Sequence, residues 1–224
     1  MELEKRRVES VEVRSVPEEK VLTLEEEPVL TLSLRVPTLE GDTPPLRRIG
    51  RCFARQAQVW RARWEGPLYA MACAALTEAR EQSRPFVPWT AALDFTVTRC
   101  CGGVLSLHTD AAERHGTARP LLVRSGETWD LSSGTPVSLS SLFPPRTRWR
   151  QQVLSAIEEQ CAGRAASGEF LFYEDWPRHA AADFDPDNFY LTEDGIVVFY
   201  PLHTLCPAAE GIPEFPLALP EISQ

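Results

Sequence analysis

The residues with the clearest chemical potential in this sequence are the closely spaced carboxylates Asp183, Asp185 and Asp187, which are followed by Asn188. Alternate carboxylates of this kind begin a calcium-binding loop, in which a Glu at the twelfth position completes the ligand shell. Here the twelfth position is Asp194, Asn188 stands where that loop has its glycine, and no helices are predicted on either side. We therefore interpret the motif as an acidic turn and predict no metal site.

Cysteine and histidine side chains are a second potential source of metal ligands. Combining Cys100 and Cys101 with His108, or His115 with His203, gives ligand sets of suitable chemistry. Zinc sites, however, are built from two pairs of ligands, and within each pair the two residues are two to four positions apart. The sequence has no second pair of Cys or His residues with that spacing. The adjacent cysteines could instead act as a redox switch, provided that one thiol is exposed and ionises readily. We predict neither a metal nor a cofactor.

A hydrolytic site would need a nucleophile, a base and a carboxylate in contact with one another. Ser, His and Asp all occur, but the sequence has neither a nucleophile elbow nor a glycine-rich phosphate loop. The four histidines are scattered singly over predicted strands and loops. We therefore predict that no residue is catalytic and that the chain is not an enzyme.

The charge of the 224-residue chain is concentrated near its C-terminus. The formal net charge is -9, and in residues 165–224 Arg178 is the single basic residue among eleven acidic ones. Such a negative field repels phosphate backbones, so we predict no nucleic-acid partner, and it speeds encounter with a basic protein. The alternative is that these acidic residues only solvate a surface.

Composition and the N-terminal residues limit the class of protein. A chain that is 43% hydrophobic and 25% charged is typical of a globular protein, which excludes disordered and collagen-like classes. No stretch approaches the roughly 18 to 20 apolar residues that span a bilayer, so we predict no membrane span. Residues 1–7 are charged where a secretion signal is apolar, so we predict a cytoplasmic location. Removal of a leader or anchor would leave the same sequence, and the location would then be extracellular.

Hydrophobic periodicity in the first half predicts strands followed by helices. Leu30, Leu32 and Leu34 alternate with polar residues, and weaker alternation in residues 11–13 and 22–24 completes a predicted antiparallel run of three strands. Residues 65–67 interrupt a helical pattern that resumes in residues 68–82. The predicted apolar face of the first helix comprises Ile49, Cys52, Phe53, Ala57, Trp60 and Trp64.

The remaining sequence predicts hairpins around one further helix. Residues 100–103 form the turn of a hairpin, and Asp194 and Gly195 form the turn of another. Between them, Pro144 and Pro145 suit the first turn of a helix that Gly163 and Gly168 end. Proline-rich residues 213–220 predict an edge strand. We expect an α+β fold with mostly antiparallel sheets and two main helices packed on them, divided into domains 1–112 and 113–224.

Three stretches resemble a family of domains of unknown function. The family is shared by the extracellular part of the anti-sigma factor RsiV and by the deacetylase PdaC. Residues 127–143 resemble its strand, turn, strand and LxxLF passage, residues 189–200 its terminal hairpin, and residues 209–215 its AxGxxEF ending. The strands, long helix and hairpin upstream are similar in order to the smaller domain that precedes it in those proteins.

The resemblance implies a non-catalytic α+β module of bacteria of the Bacillus and Clostridium kind (Firmicutes), located outside the cell. In RsiV the module captures lysozyme, whereas in PdaC a separate domain performs the chemistry. This chain departs from the family at two loops. Only His115-Gly116 remains of a Gly-Gly-Ala-His turn, and residues 202–204 replace a Pro-Tyr-Glu segment. Binding residues are concentrated in such loops.

We therefore expect a ligand-binding or sensory module of the RsiV-like family with a binding surface around His115, Tyr200 and His203. The expected ligand is a basic protein such as lysozyme or a molecule related to the cell wall. One alternative is a small hydrolase or an accessory domain of a cell-wall enzyme that uses one of these histidines. Another is a cytoplasmic structural protein whose ligand site has decayed.

Overall fold

The computed structural model of the chain describes residues 10–219. Its helices are α1 (Pro44–Arg63), α2 (Tyr69–Glu81), α3 (Trp149–Ser167) and α4 (Trp176–Ala182). The strands of the first half are β1 (Val13–Arg14), β2 (Glu18–Leu24), β3 (Glu27–Leu34), β4 (Thr38–Leu39), β5 (Trp89–Cys101) and β6 (Val104–Arg114). Those of the second half are β7 (Leu121–Asp130), β8 (Thr135–Pro136), β9 (Phe189–Leu191), β10 (Gly195–Phe199) and β11 (Glu214–Ala218).

A six-stranded sheet has the strand order β2-β3-β5-β6-β7-β8. As predicted, β2 and β3 are antiparallel, but β3 pairs in parallel with β5, from Leu30 opposite Trp89 to Leu34 opposite Leu93. The predicted antiparallel run of three strands is wrong at its first member. β2 is an edge strand of this sheet, and β1 pairs with β4 in a separate two-stranded sheet instead of extending it.

The chain forms two compact units. The first contains the described residues up to Thr96, together with Thr109–Arg124 and Leu131–Gly134. The second contains Val97–His108, Ser125–Asp130 and the described residues from Thr135 onward. The long strands β5, β6 and β7 contribute residues to both units. The predicted domain limits, 1–112 and 113–224, remain a prediction.

Helices α1 and α2 cover the apolar face of the strands in the first unit. The Thr43 hydroxyl accepts a hydrogen bond from the Leu46 amide, which caps α1. The predicted break between the helices is instead a π-helical turn at Trp64–Leu68, which accommodates Pro67. The buried core of this unit comprises Val29, Leu30, Leu32, Leu34, Ala57, Trp64, Leu68, Ala72, Leu76, Ala91, Leu93 and Ala111.

Cys52 does not belong to the buried face that the sequence predicts for it. The side chains of α1 that are buried follow the steps Leu46, Ile49, Phe53 and Ala57, and the Cys52 side chain is exposed. A residue one position before Phe53 lies about 100° away around the helix, because an α-helix has 3.6 residues per turn. The predicted apolar face was therefore too wide by this residue.

The second unit packs α3 and α4 against a three-stranded sheet of order β11-β10-β9. The predicted hairpin with its turn at Asp194 joins β9 and β10, and β11 is an edge strand as predicted. Helix α3 ends at the left-handed Gly168 as predicted, but Gly163, which was predicted to end it as well, lies within the helix. It begins at Trp149 rather than at Pro144, since Arg146 has a left-handed backbone (φ 65°) that cannot continue a helix.

The prediction of an α+β fold with antiparallel-rich sheets and helices packed on them is confirmed. The core of the second unit joins α3 residues such as Ile157 and Cys161 to sheet residues such as Val198 and Phe215.

Of the helices within residues 10–219, none is long and apolar enough to cross a membrane.

Candidate functional site

A polar cavity of about 500 Å³ lies beside α4 in the second unit. Its volume is within the range of roughly 300 to 1,000 Å³ that is common for ligand sites. We call it the α4 pocket. It is lined by Tyr173, Asp175, His179, Asp183, Pro201, His203 and Thr204.

One wall of the pocket is an imidazole held between two carboxylates. Asp175, His179 and Asp183 are spaced four residues apart, so their side chains share one face of α4 and its ends. His179 Nδ1 lies 2.6 Å from Asp183 Oδ2, and His179 Nε2 lies 3.2 Å from Asp175 Oδ2. Both ring nitrogens therefore face an acceptor, which is the arrangement that a doubly protonated imidazolium satisfies.

The hydrogen bond with Asp183 raises the pKa of His179 above its usual value, and together with the contribution of Asp175 it outweighs the partial loss of solvation, which lowers that pKa. The protonated ring would leave this wall with two negative charges and one positive charge. Because the pKa of His179 is raised in the folded state, the contribution of this protonated ring to the stability of the fold is fully present at pH values below its unfolded-state pKa of about 6.5. It is lost as the pH rises through the folded-state value.

We expect NMR titration of the His179 ring protons to give a midpoint above 6.5, because both neighbouring carboxylates favour the charged ring. Asp183→Asn should lower that midpoint, since it removes the negative charge of the nearer carboxylate. Asp187→Asn is the matched control, and it should leave the midpoint unchanged. A midpoint at or below 6.5 in the unsubstituted protein would show that the array does not form.

The opposite wall of the pocket is the loop after β10. His203 is exposed and has a left-handed backbone (φ 64°), which costs a non-glycine residue on the order of 1 kcal/mol or more. The Tyr173 amide donates to the Leu205 carbonyl at 3.0 Å, and the Thr204 amide donates to Pro201 at 3.3 Å. The first bond joins the loop to the segment that leads into α4, and the second closes a turn around His203.

Tyr200 is placed behind the pocket rather than on its surface. Its side chain is 1% exposed, and its hydroxyl donates to the Ala180 carbonyl of α4 at 2.6 Å. Its ring meets Phe215 edge-on, with 5.8 Å between the ring centroids. Burial raises the pKa of Tyr200 well above the usual tyrosine value. Tyr200 therefore anchors α4 and is inaccessible to a ligand.

His115 belongs to the first unit, whereas the α4 pocket lies wholly within the second. The His115 ring stacks on Trp89 with 4.0 Å between centroids and 6° between planes. Its Nε2 atom is buried without a hydrogen-bond partner in the described part of the chain. The structure thus places His203 at a cavity and His115 in an aromatic stack, and their predicted binding roles remain predictions.

The carboxylates of the acidic motif turn towards different partners. Asp183 faces His179, whereas Asp185 accepts a hydrogen bond from the Asp187 amide at 2.9 Å, as in an Asx turn. Among the residues that the structure describes, no group of three or more His, Cys, Asp or Glu side chains is arranged so that it could hold a metal ion. The Asx turn agrees with the acidic-turn interpretation, but a helix does precede the motif, because α4 ends directly before Asp183.

The buried cysteines are poorly suited to redox chemistry. Burial raises the pKa of Cys161 to about 12 and that of Cys206 to about 11, so neither thiol ionises near neutral pH. Cys101 is exposed at the hairpin turn beside the half-buried Cys100.

Sequence reasoning missed Asp175 and His179 as members of a site. The signal was present, because an Asp, a His and an Asp recur at four-residue intervals in residues 175–183. It was overlooked because Asp183 was assigned to the calcium-like motif that follows and because Pro177 obscures so short a helix.

Comparison with known proteins gives one family match. Residues 140–219 match the family model described as "Protein of unknown function (DUF3298)". A DUF3298 family member from Bacteroides fragilis NCTC 9343, known from its crystal structure, is 16% identical to this chain in sequence. The two structures superpose with a TM-score of 0.68, and the match covers 95% of this chain and 92% of that chain. A DUF3298 family protein from Pseudomonas aeruginosa PAO1 is 16% identical, with a TM-score of 0.52 over 94% and 90% of the two chains. No curated protein matches the sequence. At this identity the similarity to the solved structures shows the fold alone.

Proposed function

We propose that the chain is a non-catalytic binding module of the RsiV-like kind, and that its α4 pocket receives a cationic group of a basic protein such as lysozyme. The observation that carries the proposal is the pair of carboxylates, Asp175 and Asp183, exposed on one wall of a 500 Å³ cavity. A Lys or Arg side chain entering that cavity would meet acceptor oxygens with unused lone pairs.

Charge outside the pocket supports the same class of partner. Residues 165–224 carry eleven acidic residues and one basic residue, so a basic protein would be steered towards this part of the chain before contact. A lysozyme-like partner is met outside the cell, and the proposal therefore implies that the module works there. The sequence resemblance to the RsiV extracellular region supports the same inference.

The geometry of the histidines favours binding over the hydrolase alternative. A general base needs a ring nitrogen directed at the proton that it removes, and in His179 both nitrogens are directed at carboxylates. Neither His115 nor His203 is hydrogen-bonded to a Ser or Cys of residues 10–219. The pocket can therefore supply charge and hydrogen-bond acceptors, but it lacks an activated nucleophile of the Ser-His or Cys-His type.

We expect lysozyme to bind the protein at low salt and to be released as salt is raised, because exposed charges are screened over roughly 10 Å at 0.1 M. The double variant Asp175→Asn/Asp183→Asn should weaken binding at least tenfold in calorimetric titration at low salt. The matched control Glu169→Gln/Glu193→Gln removes the same charge from exposed positions of the second unit, and it should weaken binding less than threefold.

Two results would contradict the proposal. One is the absence of lysozyme binding at low salt, which would remove this class of partner. The other is equal weakening by the pocket variant and the control variant, since binding would then depend on net charge alone and not on the α4 pocket. Circular dichroism of each variant should confirm that the fold is retained.

A further inference from the structure

A second cavity in the same unit has the opposite charge at one end. It is a groove of about 590 Å³ along the exposed face of α3. We call it the α3 groove. Arg148 and Arg150 line it at the start of the helix, Trp149 and Leu154 provide apolar surface, and Glu158 lies at the far end.

The guanidinium groups at this end of the groove have no carboxylate partner. Neither Arg148 nor Arg150, nor Arg146 just before them, forms an ion pair within residues 10–219, and all three are exposed. The first turn of α3 contains no acidic residue. Arg150 instead lies over the Phe184 ring, with 5.0 Å between its Cζ atom and the ring centroid. This contact limits the orientations of the guanidinium while leaving hydrogen-bond donors available.

We propose that the α3 groove docks a short extended acidic peptide segment of a protein partner. Carboxylates of that segment pair with Arg148 and Arg150, and an apolar side chain that follows them packs on Leu154 and the half-buried Trp149. Arg150 and Glu158 are eight residues apart, or about 12 Å along a helix. An extended peptide covers that distance with about four residues.

The mixed lining of the groove selects a peptide over a uniformly charged polymer. A polyphosphate or nucleic-acid chain that followed the whole groove would bring negative charge against Glu158. It would also approach a protein of net charge -9, which repels long polyanions. A short segment whose acidic residues are confined to one end meets only the arginine end of the groove.

The α3 groove is distinct from the α4 pocket, although the two are neighbours in the second unit. Phe184, on which Arg150 lies, directly follows Asp183 of the pocket. The two sites offer charges of opposite sign, so this proposal goes beyond the binding of a basic partner and can fail or succeed independently of it.

The probe is the synthetic peptide acetyl-Glu-Glu-Leu-Ala-amide, added to the full chain and followed by calorimetry and by NMR of the Trp149 indole N–H. We expect saturable binding that shifts the Trp149 signal. Arg148→Gln/Arg150→Gln should weaken it at least tenfold. The control variant Arg51→Gln/Arg55→Gln, which removes two exposed arginines from α1, should leave it within twofold. Asp175→Asn/Asp183→Asn should leave peptide binding intact, so that failure of this site and failure of the α4 pocket are distinguishable.

Several results would overturn the proposal. Equal binding of acetyl-Lys-Lys-Leu-Ala-amide, or equal loss in the control variant, would show that Arg148 and Arg150 do not select the charge. Tighter binding of tripolyphosphate than of the acidic peptide would show a phosphate site. No shift of the Trp149 signal at 10 mM peptide, above the roughly millimolar affinity of a weak contact, would show that the groove does not dock this segment.

Discussion

Gly126→Ala is expected to destabilise the second unit by more than about 3 kcal/mol, because the added carbon has no space. A Cβ atom at this position of β7 would lie 1.9 Å from the carbonyl oxygen of Phe189 in β9 and 2.7 Å from its carbonyl carbon. Both are backbone atoms, so a rotamer change cannot relieve the overlap. The same close approach lets the Leu191 amide donate to the buried Ser106 hydroxyl at 2.8 Å, and the variant should weaken that bond too.

Urea denaturation followed by circular dichroism measures this effect, and Gly163→Ala is the matched control. Gly163 lies within α3, and a Cβ atom there would meet no atom within 4 Å. The same substitution should therefore stabilise the protein by about 0.5 to 1 kcal/mol, since Ala is the better helix former. A loss of less than about 1 kcal/mol for Gly126→Ala would contradict the close packing of β9 on β7.

Glu113→Ala is expected to cost about 2 to 3 kcal/mol of the free energy of unfolding, because it removes the centre of a buried hydrogen-bond network. The Glu113 side chain is 6% exposed and accepts hydrogen bonds from Arg63 Nε at 2.6 Å and Arg63 Nη2 at 2.9 Å. It also accepts one from Trp64 Nε1 at 2.8 Å, and Trp64 is fully buried. The variant leaves this indole N–H without its partner, whereas the half-exposed Arg63 can be rehydrated.

The same network predicts a dependence of stability on pH. Burial alone would raise the pKa of Glu113, but the hydrogen bonds from Arg63 and Trp64 outweigh it and hold the pKa below the usual value of 4.5. Because the pKa of Glu113 is lowered in the folded state, the contribution of its carboxylate to stability is present at pH values above about 4.5. That contribution is lost as the pH falls through the folded-state pKa. Glu113→Ala should lack this part of the acid dependence.

Chemical denaturation at pH 7 and at pH 3.5 tests both expectations for Glu113. Glu78→Gln is the control, since Glu78 forms an exposed pair with Arg84 at 3.2 Å. Such pairs contribute little, so the control should change stability by less than about 0.5 kcal/mol. If Glu113→Ala were as mild as the control, the network would not be contributing to the stability of the first unit.

Local sequence signals predicted the elements that depend on neighbouring residues. The alternation of Leu30, Leu32 and Leu34 predicted β3, and the Asp194-Gly195 pair predicted the β9–β10 hairpin, although Gly195 itself begins β10. The parallel pairing of β3 with β5 could not be predicted in this way, because its register is set by residues some 59 positions apart. Strand pairing at such a distance depends on which edges are free, and period-two alternation is the same in parallel and antiparallel strands.

The candidate site was predicted less completely than the fold. His203 was identified from its loop, where it does line a cavity, and Tyr200 was named beside it although its side chain is buried beneath α4. A tyrosine at the end of a hydrophobic strand has the same sequence whether its hydroxyl meets solvent or a carbonyl. The four-residue spacing of Asp175 and His179 was visible in the sequence. The pocket, however, exists only because α4 lies beside the loop that contains His203, and the sequence does not show that placement.

The most direct test of a cation-binding α4 pocket is an NMR map of the ¹⁵N-labelled protein as lysozyme is added at low salt. We expect the largest shifts to fall on Asp175, His179, Asp183 and His203, and we expect the same signals to return to their free positions as salt is raised. Shifts confined to residues outside the α4 pocket, or no shifts at a lysozyme concentration of about 1 mM, would contradict it.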